Sequence, residues 1–168
     1  YIDAHHPYNF GAGYALVDVT PTQRLHFSGG ARLDAYSTFG PIFVPRLTAI
    51  VKVGSGGVLK VMGGRAFRAP SIYEQFYTDG RQQLPSTDPH RGLMLGPESV
   101  YSGEVEYSQR FLEDWIAVLA GHGGVVKGII EAVPDTPGSD VLRFANSTTG
   151  VLLAGFDAEI RRDFRRGW

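Results

Sequence analysis

Polar and apolar residues alternate along most of this chain with a period of two, as in β-strands that turn one face to an apolar phase. Over residues 24–36, Leu25, Phe27, Gly29, Ala31, Leu33 and Ala35 form one face; His26, Ser28, Gly30, Arg32, Asp34 and Tyr36 form the other. At 44–53 the same pattern sets Pro45, Leu47, Ala49, Val51 and Val53 against Arg46, Thr48, Ile50 and Lys52. It is clearest at 100–111, where Tyr101, Gly103, Val105, Tyr107 and Phe111 oppose Ser102, Glu104, Glu106, Ser108 and Arg110. At 151–164, Leu152, Ala154, Phe156, Ala158, Ile160 and Phe164 oppose Gly155, Asp157, Glu159, Arg161 and Asp163. Further strands are predicted at 10–19, 58–67 and 115–126, about seven in all. No stretch carries a convincing helical period; a helical turn at 72–77 stays open, because that loop is aromatic throughout.

The connections alternate in length. Residues 20–23, 54–57 and 112–114 are short, 37–43 is intermediate, and 68–97 and 127–150 are long. Short turns therefore fall at one end of the sheet and longer loops at the other. A soluble sandwich does not require that segregation, whereas an outer-membrane barrel has it, with short periplasmic turns and long external loops. Strands of 10–14 residues also suit a tilted bilayer crossing, which takes about 9–11 residues. Charges sit in mid-strand on one face only, as a wet or plugged lumen requires. Aromatics reinforce the picture: Tyr36, Phe39, Phe43, Phe67 and Tyr101 near the long loops, Phe111, Trp115, Phe164 and Trp168 near the short turns. The fold class predicted is all-β, an antiparallel transmembrane barrel segment.

Composition narrows the function. A net charge of −1 gives no footing for a nucleic-acid partner. The absence of cysteine excludes disulfides and thiolate metal sites. Asp3, His5 and His6 could suggest a metal, but adjacent histidines on extended backbone point opposite ways and no fourth ligand follows, so no metal or other cofactor is expected. Glu104 and Glu106 share a face, yet their alternation with Ser102, Ser108 and Arg110 reads as a solvated row rather than a catalytic pair. No enzyme is expected. The candidate binding residues lie where Pro70 stops a strand and a long loop begins. There Arg68, Tyr73, Tyr77, Asp79 and Arg81 line an external mouth, and tyrosine with arginine can grip an anionic, aromatic-bearing ligand.

Three stretches carry a family resemblance: GGRAFRAPSIYEQFY, then LGPESVYSGEVEYSQRF, then FANSTTGVLLAGFDAEIRRDFRRGW. Over roughly residues 10–168 the chain resembles the barrel of TonB-dependent outer-membrane receptors. The matching positions are Gly64, Phe67 to Pro70, Tyr73 and Glu74, then Leu95, Pro97, Glu98 and Glu104, then Asn146, Gly155, Asp157 and Glu159; Asp157 departs from the commoner Glu. The resemblance implies a barrel of about 22 strands closed by a plug. It further implies import of a scarce nutrient (iron-siderophore, haem or cobalamin) across the outer membrane of a Gram-negative bacterium. The partners it implies are the TonB-ExbB-ExbD complex acting through the plug, outer-membrane lipid, and a small-molecule or metal-chelate ligand. About seven strands cannot close such a barrel, so residues 1–168 are expected to be one partial barrel domain without its plug. The segment is expected to begin in an external loop and to end at a periplasmic turn, where Arg161, Arg162, Arg165 and Arg166 flank Phe164. A passive channel or adhesin barrel, and a soluble all-β binding domain, stand as alternatives.

Overall fold

The computed structural model describes residues 8–112 and 114–163. Asp3, His5, His6, Phe164, Arg165, Arg166 and Trp168 lie outside the described residues. Seven long strands form one antiparallel sheet: β1 (Phe10–Thr22), β2 (Leu25–Tyr36), β3 (Gly40–Val53), β4 (Gly57–Arg68), β5 (Glu98–Phe111), β6 (Trp115–Lys127) and, in chain order after two shorter strands, β9 (Val151–Arg162). Their order across the sheet is β1-β2-β3-β4-β5-β6-β9, an up-and-down meander. The short strands β7 (Ile130–Pro134) and β8 (Leu142–Asn146) pair with each other inside the last long connection. One helix, α1 (Ile72–Phe76), and a 3-10 turn (Pro89–Arg91) interrupt the loop between β4 and β5.

One expectation needs correction, and the structure fills in two stretches that the sequence left open. The connection expected at 37–43 spans only 37–39, because Gly40, at φ 86°, turns the chain straight into β3 and Pro41 fits near a strand start. A helix does form at 72–76, because Ser71 and Glu74 cap its first turn reciprocally. The connection after β6 is not irregular throughout, since β7 and β8 form a hairpin within it.

Register preserves the alternation across the whole sheet. Val17, Gly29, Leu47, Gly63, Gly103, Gly123 and Ala154 follow one another strand to strand on one face. That face carries no charge between the Arg65–Tyr101 row and the Phe111–Trp115 row. Its side chains are open: Leu47 is 66% and Phe156 70% exposed. Among the described residues no second sheet covers them, as a sandwich would require. The opposite face bears cross-strand polar pairs: the Lys60 ammonium lies 2.7 Å from Glu106 Oε1, and the His122 Nδ1 lies 3.3 Å from Asp157 Oδ2. The His122 ring reaches Asp157 by crossing Gly155, where any Cβ would collide with it. Tyr36 belongs to this polar face rather than to an apolar belt, since even positions of β2 all point there; it stacks on Phe39 at 4.5 Å.

Tyr101 and Phe111 stand ten residues apart on β5, about 33 Å along the strand. At the usual barrel tilt that spans about 25 Å, the height of the apolar band of a membrane barrel. Among the described residues no helix is long and apolar enough to cross a membrane.

Candidate functional site

The two long connections, 69–97 and 128–150, emerge at the same end of the sheet and fold onto each other. Pro70 ends β4 by withholding a backbone donor, and Ser71 takes up the N-cap of α1. The Ser71 hydroxyl accepts from the Glu74 N–H at 3.2 Å, while the Ser71 N–H donates to Glu74 Oε2 at 2.7 Å. Glu74 also receives two guanidinium N–H groups of Arg68, each at 3.0 Å. Arg68 Nε donates to Glu98 Oε2 at 2.7 Å, directly across the β4–β5 ladder. The Glu98 carboxylate then accepts the Ile130 N–H at 2.8 Å, so a single carboxylate joins the roots of both loops. Burial pulls the Glu74 carboxyl upward, but the Arg68 fork and the Ser71 donors outweigh it and hold it below the ordinary Glu range.

Asn146, at the end of β8, ties the roots again. Its Oδ1 accepts from Gly96 N at 2.7 Å, and its Nδ2 donates to the carbonyls of Gly96 at 2.9 Å and Gly128 at 2.8 Å. Further out, residues 82–86 run alongside β8. Leu142 N donates to the Gln82 carbonyl, Leu84 N to the Leu142 carbonyl, and Phe144 N to the Ser86 hydroxyl. Arg91 holds both oxygens of Asp135 at 2.8 and 2.9 Å. Beneath these contacts lie Gln75, Phe76, Ser86 and Leu95, all buried. The loops thus share a small core of their own.

The five residues expected to bind ligand fall into three places. Arg68 sits at the root, committed to Glu74 and Glu98. Tyr73 and Tyr77, one helical turn apart, stack at 4.5 Å, and Phe144 meets Tyr73 edge-on at 6.0 Å. Asp79 Oδ1 accepts the N–H groups of Arg81, Gln82 and Gln83, and these bonds, that of Gln83 foremost, hold its carboxyl below the ordinary Asp range. That turn leaves Arg81 exposed. Among the described residues no group of three or more His, Cys, Asp or Glu could hold a metal ion. Sequence reasoning did not foresee the joining roles of Glu98, Asn146 and Asp135. Glu98 and Asn146 stood in the family motifs, but Asp135 carries no local signal.

The chain builds an antiparallel sheet with one uncharged exposed face, one ion-paired face and co-folded loops at one end, and its sequence matches a known family model. The TonB dependent receptor-like, beta-barrel model matches residues 3–168. The chain belongs to that family. Its structure is similar to the siderophore receptor PirA from Pseudomonas aeruginosa, at 22% identity and a TM-score of 0.72, covering 90% of this chain and 28% of that one. PirA from Acinetobacter baumannii aligns at 19% identity and a TM-score of 0.76, covering 94% and 26%. The Serratia marcescens hemophore receptor HasR, solved with its hemophore HasA and heme, aligns at 16% and 0.70, covering 94% and 32%. This TonB-dependent receptor barrel segment therefore spans about a quarter to a third of the length of these solved relatives. No curated protein matches it in sequence.

Proposed function

We propose that this chain is the barrel segment of an outer-membrane receptor that imports a scarce nutrient, carried as a metal chelate, with energy delivered by the TonB-ExbB-ExbD complex through a plug domain. The observation that carries this reading is the division of one sheet. An uncharged face about 25 Å tall suits lipid, an ion-paired face suits a plugged lumen, and structured loops gather at one rim. The cargo class is supported by the solved relatives, two siderophore receptors and one hemophore receptor. The activity proposed is transport rather than catalysis.

Ligand recognition falls to the loop that follows β4. Tyr73 and Tyr77 offer a pre-stacked aromatic surface, and Arg81 adds fixed positive charge beside it. Arg68 and Asp79 set the positions of that surface through the root and the turn. The test removes residues 72–93 from the full-length receptor and measures binding of radio-iron-loaded siderophores and of haem to whole cells, with surface levels checked in parallel. Loss of high-affinity binding with normal surface levels is expected. Undiminished binding would place recognition in other loops or in the plug.

A further inference from the structure

The ladder between β3 and β4 stops short of both strands' ends. Its last rung is Arg46–Gly64, yet β3 reaches back to Gly40 and β4 runs on to Arg68. Sequence supplies the cause. Backbone groups of an antiparallel strand face its two neighbours alternately. The Phe43 carbonyl faces β4, since it accepts from Arg65 Nη1 at 3.1 Å, so Pro41 and Pro45 face β4 as well. Proline has no N–H to give, which ends this ladder and leaves the β2–β3 ladder intact to Gly40. Within sheets proline is otherwise kept to edges, strand starts and bulges, so Pro45 creates an edge inside the wall. A side chain stands in for the lost rungs: Arg65 holds the Phe43 carbonyl and donates from Nη2 to the Ser99 hydroxyl at 2.9 Å. Phe43 and Phe67, which continued register would pair, are not joined by the ladder.

Apolar side chains border this seam on both faces of the sheet. Ile42, Val44 and Ala66 lie on the polar face, Phe43 and Phe67 on the uncharged one. Tyr36, of the polar face, meets the Phe67 ring edge-on at 6.0 Å, so the two faces touch here. Directly below, from the Leu47–Gly63 rung, the uncharged face holds an apolar hollow of about 590 Å³ lined by Val17, Phe27, Gly29, Leu47, Val61 and Gly63. At the other end, β4 leads past Pro70 straight into α1, which carries Tyr73. A membrane wall satisfies its backbone groups within the sheet, and open rungs in one are a departure with a use. An apolar passage that ends in an apolar hollow suits an acyl chain. We propose that the β3–β4 seam is a lateral opening latched by Arg65, through which the tail of an acylated, amphiphilic chelate reaches the hollow while its head is held at Tyr73, Tyr77 and Arg81. This rests on the reading of the chain as a nutrient-receptor barrel and narrows its cargo to amphiphiles.

The test uses the full-length receptor in phosphatidylcholine nanodiscs, with ferric catecholate and ferric hydroxamate chelates, each made with and without a dodecanoyl tail. Wild type is expected to bind a tailed chelate about tenfold more tightly than its untailed form, as burying even two methylene groups would give. A disulfide between Phe43→Cys and Phe67→Cys ties the strands at the open rung. It should abolish the tail preference, leave affinity for the untailed chelate unchanged, and be reversed by reduction. Pro45→Val returns the missing N–H and reads the seam without a cross-link: exchange of the Phe67 amide should slow and the tail preference should fall. Partitioning of the tail into lipid is the same for every variant, so differences between variants report the seam. A tail preference that persists in both the locked receptor and Pro45→Val overturns the proposal and leaves the hollow to membrane lipid. Equal wild-type affinity for tailed and untailed forms also overturns it, as does a Phe67 amide as protected as that of Leu47. These outcomes leave the transport reading intact. Failure of wild type to bind any of the four chelates overturns that reading and this one with it.

Discussion

Replacing Asn146 by alanine should release the two long loops from each other without disturbing the sheet. The side chain makes three hydrogen bonds, at 2.7, 2.9 and 2.8 Å, to the backbone of Gly96 and Gly128. Only one orientation of the amide satisfies one N–H and two carbonyls together, so donor and acceptor are fixed by the network. At a net 0.5–1.5 kcal/mol for each bond, truncation costs about 2–4 kcal/mol of local stability. The penalty sits on the loop unit, because the β4–β5–β6 ladders use none of these groups. At 1.4 kcal/mol per tenfold, the open state of the loops should become roughly thirtyfold to a thousandfold more populated. Hydrogen exchange of the full-length receptor reads this at the Leu84, Leu142 and Phe144 amides, each bonded across the two loops. Those amides should exchange faster by that factor, while amides of β5 keep their protection. Asn146→Asp should do at least as much harm, since it keeps the acceptor for Gly96 N but turns a charged oxygen toward two carbonyls. Exchange at the three amides within a factor of three of wild type would refute the clamp. Equal loss of protection in β5 would show that the loops and the sheet are a single cooperative unit.

Other outcomes follow from the two faces and the loop root. Val105→Arg, on the uncharged face, should cost roughly 2–4 kcal/mol near mid-bilayer and impair assembly, whereas Glu104→Gln on the opposite face should assemble normally; equal tolerance in an outer-membrane assembly assay would reverse the faces. Glu74 has a folded-state pKa below its ordinary value of 4.5, so the stability it lends is present above that value and fades as pH falls through the folded pKa. Loop exchange measured below about pH 4.5 and normalised to the intrinsic amide rate should therefore accelerate in wild type and less steeply in Glu74→Gln, which is already loosened at neutral pH and keeps only the Glu98 and Asp79 carboxylates; parallel profiles would remove Glu74 from the root.

Much of the sheet was legible because each strand pairs with a neighbour that has the same period, so local alternation and long-range register agree. Val105 opposite Val61 and Gly121 shows the agreement directly. Where local chemistry misled, the reason is specific. Gly40 and Pro41 read as loop residues, yet one turns the chain and the other tolerates a strand's first turn of ladder. The Ser71-x-x-Glu74 signature of a helix start was present but was masked by the aromatic residues around it. The loop site was legible only as a location. Its joining contacts pair residues far apart in sequence, such as Gln83 with Leu142 and Arg91 with Asp135, and no local pattern encodes those meetings. Arg68 was visible as a rim cation, but its commitment to two carboxylates depends on the register that brings Glu98 opposite it.

Because residues 69–97 and 128–150 share backbone bonds, buried side chains and a common root, they form one exchangeable cassette rather than two independent ones. Recombination that imported either loop alone from another receptor would strand the donors and acceptors of the loop left behind. Importing both together would carry the joints along, and leave the Arg68–Glu74 pair and the Ile130 N–H bond to Glu98 to match at the seam. Diversification of the loop end of this scaffold is therefore expected to proceed by paired replacement, and loop grafts should be cut at residues 69, 97, 128 and 150.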